Sequence, residues 1–167
     1  MTRTRICIQS GRVSPFARTT GGVVAFSPDG TKLLLGQLES DEKGLSRTVY
    51  ASHAVPDGAP LATFRLPPGA IDVAWSPDGK GLTFRDRADP AWNVCRQDEG
   101  ATAPVPVTRF TEGRLLGHVW SPDGSRLALV PRTDAGANVW VTAADGSRPS
   151  QLTQLSGMDV FAVRWLP

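Results

Sequence analysis

Short runs in which apolar and polar residues alternate return along the chain at a fixed distance. Val24 and Phe26, then Ile71, Val73 and Trp75, then Leu116, His118 and Trp120, then Phe161, Val163 and Trp165 occupy every second position. A period of two belongs to extended strands, whose alternate side chains face the same side of a sheet. A second alternating pair follows three residues after a glycine: Leu33 and Leu35, Leu82 and Phe84, Leu127 and Leu129. Off-phase positions of the first run, such as Val23, Ala25, Ala74, Val119 and Ala162, are also small or apolar, which predicts burial on both faces.

Between the two strands of each copy stands one phrase: Ser27, Pro28, Asp29 and Gly30; Ser76, Pro77, Asp78 and Gly79; Ser121, Pro122, Asp123 and Gly124. Proline fixes φ for the first central position of a type I turn, aspartate tolerates the second, and glycine takes the left-handed position that follows. The phrase therefore predicts a hairpin turn, with its serines and aspartates satisfying nearby backbone groups rather than a ligand. A fourth copy begins at Trp165, and the given sequence stops two residues later.

Three further sets of positions keep the same register. Tyr50, Cys95 and Trp140, then Thr63, Thr108 and Thr153, then Trp75, Trp120 and Trp165 are each spaced by 45 residues. The interval from Phe26 to Trp75 is 49, and the surplus of four falls between Phe26 and Tyr50, most simply as a loop insertion in the polar run 36–46. A second hairpin follows in each unit, with turns at Asp57-Gly58, Gly100 and Asp145-Gly146. Four short strands per repeat make a propeller blade. The fold class is thus all-β, with about three and a half four-stranded antiparallel blades forming a partial or incomplete propeller. The boundaries are 1–18 for the last hairpin of a preceding blade, 19–66, 67–111 and 112–156 for three blades, and 157–167 for the first strand of a further, truncated one, all in one propeller domain.

Closed propellers need roughly four to eight blades, so three and a half leave open ends. The chain is expected to be a fragment of a longer propeller; a second copy completing the ring, or pairing of the strand over 159–166 with the strands over 3–17, are the other ways to cover those ends. Hydrophobic residues at 40%, with 17 glycines and 14 prolines, suit many strands joined by tight turns. The net charge of +2 comes from scattered arginines with no long basic run, which argues against a nucleic-acid surface. Neither a leader peptide nor an apolar stretch long enough to span a membrane is present, so the expected compartment is the cytoplasm, or the periplasm if a leader precedes this sequence.

Catalytic patterns are missing. There is no Gly-x-Ser-x-Gly elbow, Walker loop, HExxH or CxxC, and no cofactor or metal is expected. His53 and His118 are isolated from any second ligand. His118 stands in a core phase and reads as a hydrogen-bonded interior histidine. Asp86 and Asp89, like Glu39, Asp41 and Glu42, read as solvated loop charge. Cys7 and Cys95 form no framework, and Cys95, in register with Tyr50 and Trp140, reads as a packing residue.

The phrase Trp-Ser-Pro-Asp-Gly, followed by Leu-x-Leu or Leu-x-Phe, then Asn-Val-Trp, Asp-Gly and Leu-Thr, resembles the WD40-like (PD40) repeat of TolB-type β-propellers, most closely over 115–155. The departures are Phe26 in place of tryptophan, Arg85-Asp86-Arg87 after the second copy, and the loose fit of residues 3–18. The resemblance implies a bacterial, non-catalytic module that binds or scaffolds a protein or peptide, a second copy of itself included. The alternative it allows is the propeller of an enzyme, gating a prolyl-oligopeptidase-type serine peptidase or serving as the sensor of a bacterial Ser/Thr kinase, with the catalytic domain elsewhere. TolB proteins are periplasmic, so the expected compartment departs from theirs. For a binding module, the loops 36–46, 85–91 and 131–137 all follow the second strand of their blade and should share one rim. Arg85, Arg87, Trp92, Arg132, Glu39 and Asp41 are its candidate partner-binding residues, with the three arginines exposed and dispensable for folding.

Overall fold

A computed structural model describes residues 3–7, 13–18, 23–40, 46–55, 57–156, 160 and 163–165. The strands β1 (Arg3–Cys7) and β2 (Val13–Arg18) form an antiparallel pair. The next sheet is a meander of β3 (Val23–Phe26), β4 (Lys32–Ser40), β5 (Ser46–Ala54) and β6 (Pro60–Phe64). A second meander joins β7 (Ala70–Trp75), β8 (Gly81–Asp86), β9 (Val94–Asp98) and β10 (Val105–Pro106). The third runs through β11 (Arg114–Trp120) and β12 (Arg126–Thr133), with the short β13 (Gly136–Ala137) beside β12, to β14 (Trp140–Ala143) and β15 (Ser150–Gln151). These antiparallel sheets are propeller blades, and no helix among the described residues is long and apolar enough to cross a membrane. The chain divides into two compact units, residues 1–68 with 99–101, and residues 69–98 with 102–167. Of the strand expected over 157–167, residues 157–159, 161, 162, 166 and 167 lie outside the described residues, and 160 and 163–165 join no ladder.

Each Ser-Pro-Asp-Gly phrase closes the first hairpin of its blade by the same bonds. Gly30 N donates to Ser27 O at 2.8 Å, and Ser27 N donates to Lys32 O at 2.9 Å. The Asp29 carboxylate accepts from Ser27 Oγ at 2.6 Å and Thr31 N at 3.0 Å, while Ser27 Oγ accepts from Lys32 N at 2.9 Å. The set recurs around Asp78 and Asp123. The Ser27 hydroxyl and the Thr31 amide hold the Asp29 carboxyl at about 2, and Ser121 and Ser125 do the same for Asp123. At Asp78 partial burial pushes upward, but the hydroxyl of Ser76 and the guanidinium of Arg96 outweigh it and the group again lies at about 2.

The spaced threonines belong to a second recurring device. Asn93 Oδ1 accepts from Thr108 Oγ1 at 2.8 Å and Phe110 N at 2.8 Å, and Thr108 Oγ1 accepts from Val94 N at 2.9 Å. In the next blade Asn138 Oδ1 accepts from Thr153 Oγ1 at 2.9 Å and Leu155 N at 2.7 Å, with Val139 N on Thr153 Oγ1. The asparagine side chain thereby completes the pairing where the ladder of the outer hairpin ends.

The polar run 36–46 is not the loop insertion its composition suggested. Residues 36–40 continue β4 and pair with β5 from Gly36↔Tyr50 to Ser40↔Ser46, so the extra residues lengthen a hairpin by whole rungs. The even count keeps each side chain on its original face.

In the larger unit the second strand of each blade is its most buried element. Residues 81–85 of β8 and 127–131 of β12 are buried throughout. Val94 and Val107 pack with Leu115, Leu127 and Leu129 in one cluster, flanked by Phe110, Trp120 and Trp140, so one face of the second sheet is covered by the third. Burying each leucine contributes about 2 kcal/mol. The same face carries polar groups. Trp120 Nε1 donates to Thr83 Oγ1 at 3.2 Å, where the third blade meets the second. Trp75 is 6% exposed at the phrase position, whereas Phe26, its counterpart in the smaller unit, is 49% exposed and does not serve as core.

Two outcomes follow from the turns. Gly30 and Gly124 hold the same left-handed conformation, φ 72° and 69°, but a Cβ at Gly30 meets nothing while one at Gly124 would lie 2.5 Å from Pro77 Cβ. Gly30→Ala should cost about 1 kcal/mol from backbone strain alone, and Gly124→Ala clearly more; equal urea midpoints would contradict the contact. The three aspartates have folded pKa values near 2 against an ordinary 3.8. Their contribution is complete above the ordinary value and is lost as pH falls through the folded one. Unfolding midpoints measured from pH 5 to pH 2 should therefore fall less steeply for Asp29→Asn/Asp78→Asn/Asp123→Asn than for the unaltered chain.

Candidate functional site

The segment joining β8 to β9 is fixed by its own backbone. Trp92 N donates to Asp89 O at 2.9 Å, and Asp89 Oδ1 accepts from Ala91 N at 2.8 Å and Asn93 Nδ2 at 3.1 Å. Leu115 N, at the start of β11, donates to Ala91 O at 2.9 Å. The turn leaves Trp92 at φ 55°, a left-handed conformation that costs a bulky residue about 1–2 kcal/mol.

Three guanidinium groups surround that tryptophan. Cζ of Arg114 lies 4.3 Å from the ring centroid, that of Arg87 5.1 Å and that of Arg85 5.5 Å. Arg87 and Arg114 are exposed. Arg114 and Arg132 are direct partners across the β11–β12 ladder, so one edge of the third blade presents two like charges side by side. Such a pair is unfavourable by itself. A shallow depression of about 600 Å³ lies along this edge, lined by Arg114, Arg132, Glu112 and Asp134 among others, and Phe110 and Trp140 help line another of about 400 Å³.

Arg85 has another role. The expectation of an exposed loop cation fails because Arg85 is the fifth residue of β8 and only 5% exposed. Its Nε donates to Asp72 Oδ2 at 2.8 Å, its Nη2 pairs with the same oxygen, and its Nη1 donates to Leu115 O. Asp72 sits where the β7–β8 register slips, at φ 52°, and the guanidinium holds its carboxylate there. The buried cation thus ties the second blade to the first strand of the third, and reversing its charge would break the fold rather than test binding.

Glu39 lies in β4, with Oε2 3.9 Å from Arg65 Nη2; Asp41 lies outside the described residues. The structure therefore brings together Arg85, Arg87 and Trp92, and reaches Arg132 through Arg114. Sequence reasoning missed Arg114 because it precedes its strand's apolar run and gains significance only from cross-strand register and from Trp92.

His118 is an interior residue. Its Nε2 lies 3.2 Å from Thr83 Oγ1, which also accepts from Trp120 Nε1. Burial, with Asp72 opposing and Arg85 reinforcing it, lowers its pKa to about 4 and keeps the ring neutral at physiological pH. Cys95 is half-buried, and burial with Asp86 and Asp89 nearby raises its thiol to about 11, so it is protonated near neutrality. Among the described residues no three His, Cys, Asp or Glu side chains gather as a metal site.

No protein-family model and no curated protein matches the chain. Among solved structures, the putative TolB of Agrobacterium tumefaciens is similar at 27% identity and a TM-score of 0.57, over 78% of this chain and 45% of that one. A prolyl endopeptidase matches at 18% identity and a TM-score of 0.61, over 89% of this chain and 25% of that one. Puromycin hydrolase matches at 22% and 0.57, over 85% and 23%. The chain therefore spans less than half the length of each of these structures. The two hydrolase likenesses show the propeller fold alone.

The two kinds of arginine should separate by mutation. Arg85→Met keeps most of the volume but removes the bonds to Asp72 and Leu115 O, and should cost about 1–3 kcal/mol, the half-exposed Asp72 being resolvated. Arg87→Gln loses one exposed ring contact and should stay within about 1 kcal/mol. Urea unfolding of both variants checks the ordering, and equal midpoints would contradict it.

Proposed function

We propose that the chain is a non-catalytic module of a TolB-type WD40-like β-propeller that binds a protein or peptide along a blade edge, as a segment of a longer ring or one completed by a second copy. The observation that carries this reading is the stack of Arg87 and Arg114 on Trp92 beside Arg132. A left-handed tryptophan costs stability, and such strain persists where the surface has work to do. Trp92 is held by a turn bonded on both sides, so it is presented already ordered, as a rigid aromatic anchor.

The likeness to the Agrobacterium tumefaciens TolB supports the family, and the 45% of that chain covered is in keeping with a segment of a larger propeller. Gating of a serine peptidase, or sensing for a kinase, would use the same blades with the reaction carried by other residues. The buried, neutral His118 and the protonated Cys95 do not supply an activated nucleophile.

Selection of a random dodecapeptide display library on the immobilised chain tests the module. Convergent peptides that compete for one site, and that are lost on Arg114→Gln/Arg132→Gln, are expected. Failure to converge, or equal enrichment on the double variant, would overturn the reading.

A further inference from the structure

The chemistry of the partner is written in the same edge. Resting on the binding-module reading, the geometry points to an acidic protein segment, one that places two or three carboxylates against Arg87, Arg114 and Arg132 and an apolar or flat group against Trp92.

The first ground is charge. Arg85, two residues before Arg87, has its own carboxylate in Asp72 and a backbone carbonyl, and is buried. Arg87 and Arg114 are exposed, rest on the two-ring surface of Trp92, and form no salt bridge among the described residues. Stacking on an indole leaves the edge of a guanidinium, where its N–H groups point, free to meet a carboxylate in the bidentate manner. Arg132 adds a third cation directly across the ladder from Arg114. An anionic partner would meet both of these charges at once.

Extent is the second ground, and it decides between classes of polyanion. The cations occupy one turn of the second blade and one rung of the third, and Glu112 and Asp134 border the depression beside that rung. A nucleic-acid backbone carries evenly spaced charge and needs a longer cationic track with several stacking rings. Here a short row of arginines stands in a chain whose net charge is only +2. A peptide with a few acidic side chains fits that length; a phosphate chain would run on into carboxylates.

The test is a titration of fluorescein-labelled decaglutamate, the matched decaglutamine and decauridylate into the full chain by fluorescence anisotropy. The variants are Arg87→Gln/Arg114→Gln and a control with the same loss of charge, Arg126→Gln/Arg148→Gln, taken from exposed positions at the start of β12 and in the β14–β15 turn. Decaglutamate should bind the unaltered chain and the control alike, more weakly as salt rises, and about tenfold more weakly to Arg87→Gln/Arg114→Gln; decaglutamine should not bind. Equal binding by both double variants, no binding of decaglutamate, or preferred binding of decauridylate would each overturn the acidic class. If display selection nevertheless converges on neutral peptides, the module stands and only the partner's charge was wrong. If selection also fails to converge, both readings fall.

Discussion

In the larger unit a sheet whose second strand is buried on both faces cannot be completed by its own blade. Strand β8 places Leu82 and Phe84 on one side and Thr83 and Arg85 on the other, and all four are buried. The Thr83 and Arg85 side finds its cover in β11 and β12 of the following blade, where Trp120 donates to Thr83 and Leu115 O accepts from Arg85. Remove the third blade and the buried Arg85 loses its carbonyl partner, Thr83 its tryptophan donor and several apolar side chains their cover together. Such groups are expensive to leave unpaired, so these two blades are expected to order as one cooperative unit.

The same constraint explains why arginines two residues apart have opposite roles. Arg85 points into the contact between blades and is spent on Asp72 and a carbonyl; Arg87 lies past the end of the strand, in solvent, on the face of Trp92. The turn that Arg87 opens is itself tied to β11 through Ala91 and Leu115. Structural and binding roles thus share a scaffold: the blade contact that needs Arg85 also fixes the loop that presents Arg87 and Trp92.

Much of the framework could be read from the residues, because hairpin chemistry is local. Ser-Pro-Asp-Gly specifies its turn within six residues, and the bonds around Asp29, Asp78 and Asp123 are the ones its composition implies. The spaced threonines were visible as markers, but their partnership with Asn93 and Asn138 spans 15 residues and needs the folded hairpin to appear. The misreadings have a common cause. In Arg85-Asp86-Arg87 and in the run 36–46, polar composition suggests loop, whereas Arg85 continues the buried phase of Thr83 and residues 36–40 continue a ladder. Composition reports average solvent contact, while a neighbouring blade or a paired strand decides the individual case. Arg114 escaped notice for the complementary reason: nothing near it in the sequence reveals that Trp92 and Arg132 flank it.

The outermost strands of the larger unit are only two residues long, Val105–Pro106 and Ser150–Gln151, because the asparagine and threonine side chains take over the pairing just beyond them. A stranger's β-strand arriving from outside would find hardly one rung to latch onto, and at Pro106 no N–H at all. Exposed Val105 and Leu152 sit on these margins without offering a template for lateral polymerisation. On these two margins, greasy side chains can stay at the surface with almost no open backbone beside them.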